Sequence, residues 1–339
     1  MTDSPLNSVL ERFSQYRLAV IGDVMLDRYI WGQASRISQE APVPIVQVNR
    51  VTKAPGGAAN VAANITALGG KACLFGVVGQ DEEGEQLGKI MADQGIDVEG
   101  VDALEGRRTT VKTRIIGNRQ QIVRVDTEET TPLPSGERSK LCQRLAAEIA
   151  ENKFDGIVFE DYAKGLLTSK FVQQIVDLAN QHSVFTILDP HPSHGFKIVG
   201  LQAMTPNRAE AFGLTGTYYR DGILPLAKDR PLLEVGAKLM HDWRSQLLLI
   251  TLGADGMALF TQDGKFEHIP TRAREVFDVS GAGDTVTASF SLAMLAGAQP
   301  LQAANLANHA AGLVVAKIGT TPVTADQLRE QLRSEEKHA

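Results

Sequence analysis

The stretch GIVFEDYAKGLLTSKFVQQIVDLANQHSVFTILD, residues 156–189, carries the pattern on which the fold turns. Gly156–Phe159 is a short apolar run closed by acidic residues. Ser169–Gln181 has helical period, and Val184–Leu188 is a second apolar, β-branched run. Two buried strands separated by a helix form a crossover unit, the connection that parallel strands require. The same alternation extends in both directions. Leu18–Gly22, Ala72–Val78, Ala203–Met204 and Leu247–Thr251 read as further strands. Ala58–Leu68, Glu83–Gln94, Gly136–Asn152, Leu232–Arg244, Thr285–Ala296 and Leu301–Ala316 read as helices. The spacing predicts an α/β fold with a mostly parallel central sheet, covered on both faces, and ligands at the carboxyl ends of its strands.

Two segments break the alternation. Residues 28–54 and 106–126 carry Val, Ile, Thr and Arg in period-two order with no helical stripe, as in Pro44-Ile-Val-Gln-Val-Asn and Thr109-Thr-Val-Lys-Thr-Arg-Ile-Ile. They are expected to be antiparallel strands outside the main sheet, forming a small β lid over a cleft within one domain spanning 1–339. Residues 218–231 read as an irregular insertion ahead of a helix.

The composition, 339 residues with 43% hydrophobic and 22% charged, is ample for a large core. A formal net charge of −6 argues against a nucleic-acid partner, whose docking face would be basic. The two cysteines, Cys73 and Cys142, lie far apart, and no CxxC or HExxH occurs. Buried reduced thiols and no zinc site are expected. The N-terminal MTDSPLNSVLERF carries acids and lacks a long apolar run, and no stretch approaches the ~20 apolar residues of a membrane span. These features point to a soluble, cytoplasmic protein with no membrane partner.

The chemistry concentrates in Asp278-Val-Ser-Gly-Ala-Gly-Asp-Thr285, where small residues run directly into an apolar helix. A glycine-rich helix entry leaves backbone N–H groups free, and with the helix dipole they favour an anion such as a transferring phosphoryl group. Asp284 then has two readings. It is a carboxylate that stabilises the helix start, or a base that takes a proton from an attacking hydroxyl beside the anion site. One carboxylate can do both.

Asp278–Thr285 resembles the second signature of the PfkB carbohydrate kinases, and Pro55-Gly-Gly-Ala-Ala-Asn-Val-Ala62 resembles the first, at the right spacing. The Gly22-Asp-Val-Met-Leu-Asp27 turn and Asn207-Arg-Ala-Glu210 agree, so the resemblance covers residues 15 to 330. It implies a ribokinase-like three-layer sandwich and ATP-dependent transfer of phosphate to a sugar, with Mg²⁺ and, beside Asp278, a monovalent cation such as K⁺. It further implies that Asp284 is the catalytic base, with Gly281, Ala282 and Gly283 forming the anion hole. Asp23, Asp27, Gly56, Gly57 and Asn60 are implied to meet the sugar, the glycines by letting backbone approach closely. Asn207, Thr251, Gly253, Gly256 and Asn308 are implied to line the ATP site together with Gly281 and Gly283. Glu210 is implied both to line it and to organise Mg²⁺ through water. The Gly319-Thr320 turn is implied on the adenosine side.

Within the family, Ser35–Pro44, Asn118–Gln121 and Asp161–Gly165 resemble the bacterial heptose-7-phosphate kinases, which make heptose 1,7-bisphosphate for lipopolysaccharide. The distal phosphate of such a substrate needs cations. Lys112, Arg114, Arg119, Arg124 and Lys164 are candidates, with Asp161 beside them. One departure stands out: Asp189-Pro-His191-Pro-Ser-His194 replaces the usual Asp-Pro-Lys-Gly. A kinase of another sugar or sugar phosphate therefore remains open, and so does a silent binding protein. A dinucleotide oxidoreductase is disfavoured, since no G-x-G-x-x-G follows the first strand. The chain ends without the H-x-G-H of the nucleotidyltransferase often fused to such kinases, so only the kinase step is expected. The edge-exposed lid suggests a homodimer.

Overall fold

The computed structural model describes residues 5–118, 120–194, 197–273 and 275–336. In chain order, the strands begin with β1 (Arg17–Gly22), β2 (Val24–Ile37), β3 (Pro44–Gly57), β4 (Lys71–Gly79) and β5 (Asp97–Leu104). They continue with β6 (Thr110–Gly117), β7 (Gln120–Thr127), β8 (Gly156–Glu160) and β9 (Phe185–Asp189). The last four are β10 (Ala203–Met204), β11 (Leu247–Thr251), β12 (Met257–Thr261) and β13 (Phe266–Ile269). The helices are α1 (Pro5–Leu10), α2 (Ala58–Ala67), α3 (Glu82–Asp93), α4 (Ser135–Ala150) and α5 (Ser169–Gln181). They are followed by α6 (Arg208–Leu214), α7 (Arg230–Trp243), α8 (Ala282–Leu295), α9 (Pro300–Val315) and α10 (Ala325–Glu336).

Nine strands form one sheet in the order β13-β12-β11-β10-β9-β8-β1-β4-β5, parallel from β11 through β5, with β12 and β13 antiparallel at one edge. Alternation along β1 sorts its side chains to two faces. Leu18 and Val20 join the core under α2, α3, α8 and α9, while Ala19 and Ile21 join the core under α4, α5 and α7. Helices therefore cover both faces of a ribokinase-like sandwich. Helix starts are set locally: Thr168 accepts from the Phe171 N–H at the head of α5, and Asp81 accepts from the Gly84 N–H at the head of α3.

A second sheet, in the order β3-β2-β6-β7, contains most of residues 28–54 and 106–126. The expectation of antiparallel strands throughout is corrected at one junction, because β2 and β6 run parallel. They can do so because the chain between them passes through β3, α2, β4, α3 and β5, a long crossover rather than a direct hairpin. Direct pairing puts Asp27, Lys112 and Asp126 on one face, with Tyr29, Arg114 and Arg124 beyond them. That face looks toward the carboxyl ends of the main sheet. The opposite face carries Val51, Val123 and Val125, each about half exposed. No described helix is long and apolar enough to cross a membrane.

Candidate active site

The chain enters the main sheet at β1, builds β4 and β5 on one side, and returns to build β8 through β11 on the other. Connections from β1 and β8 thus leave in opposite directions, and a crevice opens at their carboxyl ends. Asp23 follows β1, Glu160 ends β8, and Asp161 and Tyr162 follow it. Asp189 ends β9 and lies beside Glu160 in register. The N-terminus of α8 meets this edge, so Asp284, in its first turn, stands next to Glu160 and Asp189.

The α8 entry depends on a glycine. Gly281 has φ 77°, and a Cβ there would lie 2.7 Å from Asn60 Nδ2. Asp284 is the acidic residue of the first turn of α8, where it favours the helix dipole, and the N-cap position itself is Gly281, which has no side chain to cap with. The carboxylate accepts from Asn60 Nδ2 and, at 2.9 Å, from the Tyr162 hydroxyl. Burial pushes its pKa up to about 6, against the pull of the Asn60 and Tyr162 donors. That value suits a group that must be ionised at neutral pH yet able to take a proton. Tyr162 was not picked out as a site residue from sequence. Its position two residues beyond β8, at the switch point, is the signal that could have found it. Burial and the nearby Asp284 charge hold its hydroxyl well above the ordinary phenol range, so it stays a donor.

One expectation about the anion hole is corrected. The Ala282 N–H donates to Val279 O at 3.2 Å and is turned away from the mouth. The Gly283 N–H has no acceptor outside the helix among the described residues. Gly283 also leaves room, since a Cβ there would lie 3.8 Å from Asp189 Oδ2.

On the lid side of the crevice, Asp27 is buried and ion-paired with Arg114 at 2.7 Å, and Thr320 Oγ1 donates to it at 3.4 Å. Burial draws the Asp27 pKa upward and the guanidinium pulls against it. Gly56 makes room for this carboxylate, as a Cβ there would sit 3.0 Å from Asp27 Cγ. Gly57, at φ 56°, faces Asp23 O, which a Cβ would meet at 2.5 Å. Asp23 is buried beside this cleft. Its Oδ2 accepts the backbone N–H groups of Tyr162 and Lys164, both at 3.0 Å, and so fixes the turn that aims Tyr162. Thr320, expected beside the nucleotide, donates its N–H to the Tyr29 hydroxyl and its Oγ1 to Asp27, which ties the 319–320 turn to β2.

The cations are not equivalent. Arg114 is committed to Asp27, Lys164 to Glu128 at 2.7 Å, and Arg124 to Asp126 at 2.9 Å. Lys112 has no carboxylate within 4.0 Å among the described residues and lies 5.3 Å above the Tyr162 ring. Burial and the neighbouring Arg124 and Lys164 charges lower its pKa. Arg119 lies outside the described residues. Where the sequence lacks the expected lysine, His194 Nδ1 meets Asp161 Oδ2 at 2.7 Å, and His191 bonds Ser193 Oγ at 2.7 Å.

Asn207 and Glu210 form a reciprocal capping box at the head of α6, with bonds of 3.0 and 2.7 Å. Thr251 bridges to Asn207 at the end of β11, and the turn through Gly253 and Gly256 leads into the β11–β12 hairpin. Gly256 is sterically required, since a Cβ would meet Ile269 O at 2.1 Å. Asn308 Nδ2 donates to Pro270 O at 2.6 Å, tying α9 to the end of β13. Asp278 accepts from the Ser280 and Gly319 N–H groups at 2.9 and 3.0 Å, joining the two turns around the α8 entry. Glu160, Asp189, Glu210 and Asp284 supply only hard oxygen donors, which fit Mg²⁺.

Comparison with known proteins agrees with this geometry. The profile described as "pfkB family carbohydrate kinase" matches residues 15–327. The bifunctional protein HldE of Desulfatibacillum aliphaticivorans is 39% identical over 323 residues, 95% of this chain and 64% of its own. HldE of Trichlorobacter lovleyi is 41% identical over 324 residues, again 95% and 64%. The chain thus spans just under two thirds of these relatives' length. Arabidopsis thaliana ribokinase, solved with ribose and ATP, superposes with a TM-score of 0.69 at 21% identity, over 94% of this chain and 99% of its own. Escherichia coli phosphofructokinase-2, solved with potassium, gives 0.72 at 16% identity, over 95% and 99%.

Proposed function

Because the chain belongs to the pfkB family of carbohydrate kinases, ATP-dependent enzymes that phosphorylate a hydroxyl group of a sugar, we propose that Asp284 is its general base and that the substrate is a heptose 7-phosphate phosphorylated at its anomeric hydroxyl. The observation that carries this reading is the Asp284 carboxylate itself. It is held at an N-terminal helix mouth by Asn60 and Tyr162, with its pKa raised to about 6, at the sheet's switch point. The sugar hydroxyl gives its proton to Asp284 as its oxygen attacks the γ-phosphorus, and the bond from that phosphorus to the β–γ bridging oxygen breaks, releasing ADP. Asn60 and Tyr162 hold the carboxylate in orientation before transfer. The Gly283 N–H and the α8 dipole favour the growing negative charge, and preorganisation of this kind supplies most of the rate. Mg²⁺, held near Glu210 through water, would offset phosphate charge when bound with ATP. Asn207, Thr251, Gly253, Gly256 and Asn308 frame the nucleotide end, and a K⁺ ion beside Asp278 fits the two turns it joins.

Lys112 is the cation assigned to the distal phosphate, because among the described lid and cleft candidates it is the one without a carboxylate within 4.0 Å. The heptose assignment rests on the Ser35–Pro44 and Asp161–Gly165 motifs and on the identity of about 40% to the HldE relatives. The apolar outer face at Val51, Val123 and Val125 suits a second copy of the chain. The test is ATP consumption with D-glycero-β-D-manno-heptose 7-phosphate against unphosphorylated heptose, ribose and fructose 6-phosphate. The phosphorylated heptose should lead by at least tenfold in kcat/KM, and Lys112→Ala should erase most of that lead. Equal turnover of the unphosphorylated heptose would refute the substrate assignment. Near-normal turnover by Asp284→Asn would refute the base.

A further inference from the structure

The base of the lid rests on the first turn of α3, and charge explains why. Arg28 in β2 and Lys53 in β3 are direct cross-strand partners. Like charges placed opposite each other on adjacent strands repel, so this pair needs an anion facing it. Alternation along β2 turns Arg28 to the face away from Asp27, the face against which α3 packs. There Arg28 Nη2 meets Glu83 Oε1 at 3.0 Å, and Lys53 Nζ donates to Gln86 Oε1. Gln86 in turn donates to Glu82 Oε1 at 2.6 Å, so both cations reach the acidic turn. The helix dipole accounts for acids at the head of α3 but not for a basic pair set against them. A third lid segment joins the same turn. Asp81 accepts the Thr109 N–H at 2.8 Å and the Thr109 hydroxyl at 2.6 Å, one residue ahead of β6. Gly84 permits that approach, since a Cβ there would lie 2.9 Å from Thr109 Oγ1.

We propose that Glu83 is a positioning residue for the sugar: through Arg28 it fixes β2, and with β2 the Asp27 carboxylate on the opposite face. The inference rests on the reading that Asp27 meets the sugar. Asp27 and Arg28 are consecutive, so a shift of β2 that breaks the Arg28–Glu83 contact carries Asp27 with it. Strand β6 follows, because it pairs with β2 from Met25↔Thr110 to Gly32↔Gly117 and carries Lys112 and Arg114. The nucleotide end, framed by α6, β11 and α9, shares no element with this seat. Glu83 therefore acts on sugar binding and leaves ATP binding alone. Ion pairs this accessible to water add little stability, so the effect of the contact lies in placement rather than in holding the fold.

The test measures steady-state kinetics of the full chain with whichever of heptose 7-phosphate, heptose, ribose and fructose 6-phosphate the parent turns over fastest, so it does not depend on the heptose assignment. Glu83→Lys makes the contact repulsive. Misplacing a binding group by about 1 Å can cost up to ~10²-fold, so KM for the sugar should rise roughly tenfold. KM for ATP and the thermal unfolding midpoint should stay near the parent values, a split that general loosening of the fold would not produce. Exchanging the charges in the double variant Arg28→Glu, Glu83→Arg should bring the sugar KM back toward the parent value. Amide hydrogen exchange of the ligand-free chain reads the seat without any sugar. Residues 24–29 and 110–114 should exchange faster in Glu83→Lys, while β8 and β9 stay as in the parent. A parent that turns over none of these sugars defeats the kinase reading and not the seat, which exchange then decides. If Glu83→Lys fails to fold, Glu83→Gln is read in the same way. Equal rises in both KM values, a charge-exchanged variant as impaired as Glu83→Lys, or unchanged exchange in β2 would overturn the proposal.

Discussion

The contact most open to quantitative test is the 2.9 Å hydrogen bond from the Tyr162 hydroxyl to Asp284. Tyr162→Phe removes this donor while leaving the ring beneath Lys112. A hydrogen bond to a charged group is worth about 1.5–3 kcal/mol, and one pKa unit corresponds to about 1.4 kcal/mol. The donor favours the ionised carboxylate, so its loss raises the Asp284 pKa by about one to two units, from about 6 toward 7–8. Only the ionised form accepts a proton, so activity falls as pH drops through this pKa. The acid limb of kcat/KM against pH, which reports the free enzyme, should move up by the same amount. At pH 6 the parent enzyme keeps about half its plateau and the variant roughly a tenth to a hundredth. The limb cannot be the titration of Tyr162 itself, because burial keeps that hydroxyl protonated well above its ordinary range. A limb that stays near pH 6 while only the plateau falls would refute the reasoning.

Three further outcomes follow from the geometry. Asp284→Asn should stabilise the fold at high pH: a carboxyl raised by about two units in the folded state costs about 3 kcal/mol above pH 6 and nothing below pH 4, so the gain in urea unfolding should vanish on acidification. Gly281→Ala places a Cβ at φ 77° and 2.7 Å from Asn60 Nδ2, so it should displace that donor and lower kcat at least tenfold, with circular dichroism unchanged. Arg114→Ala leaves the buried Asp27 charge unpaired and should cost about 3–5 kcal/mol in denaturant unfolding, part of it recovered by adding Asp27→Asn.

Much of the architecture was legible in advance because strand and helix periods are local properties. Ser169–Gln181 is legible to the residue, and the two-residue strand Ala203–Met204 is legible as a short apolar run. Strand β5 was not read, because Asp97–Leu104 lies at the sheet edge and mixes acids with apolar residues. Helix α10 was also missed. The parallel junction of β2 with β6 escaped because pairing direction depends on what the chain does between two strands, not on the strands themselves.

The glycine-lined entry to α8 and its aspartate were determined by the sequence alone, since helix starts and positive-φ glycines are set by neighbouring residues. Tertiary structure decided which charges remain available. Arg114, Lys164 and Asp23 all sit at the cleft, and each is taken up by a partner at least 36 residues away in sequence: Asp27, Glu128, and the backbone of residues 162 and 164. Lys112 is left without a carboxylate within 4.0 Å among the described residues. The meeting of Glu160 with Asp189 and Asp284 was equally invisible, because three carboxylates on separate elements become neighbours only when the sheet and α8 close on one another. Short-range patterns place a residue on its element, but burial and pairing with distant groups decide its charge and its reach.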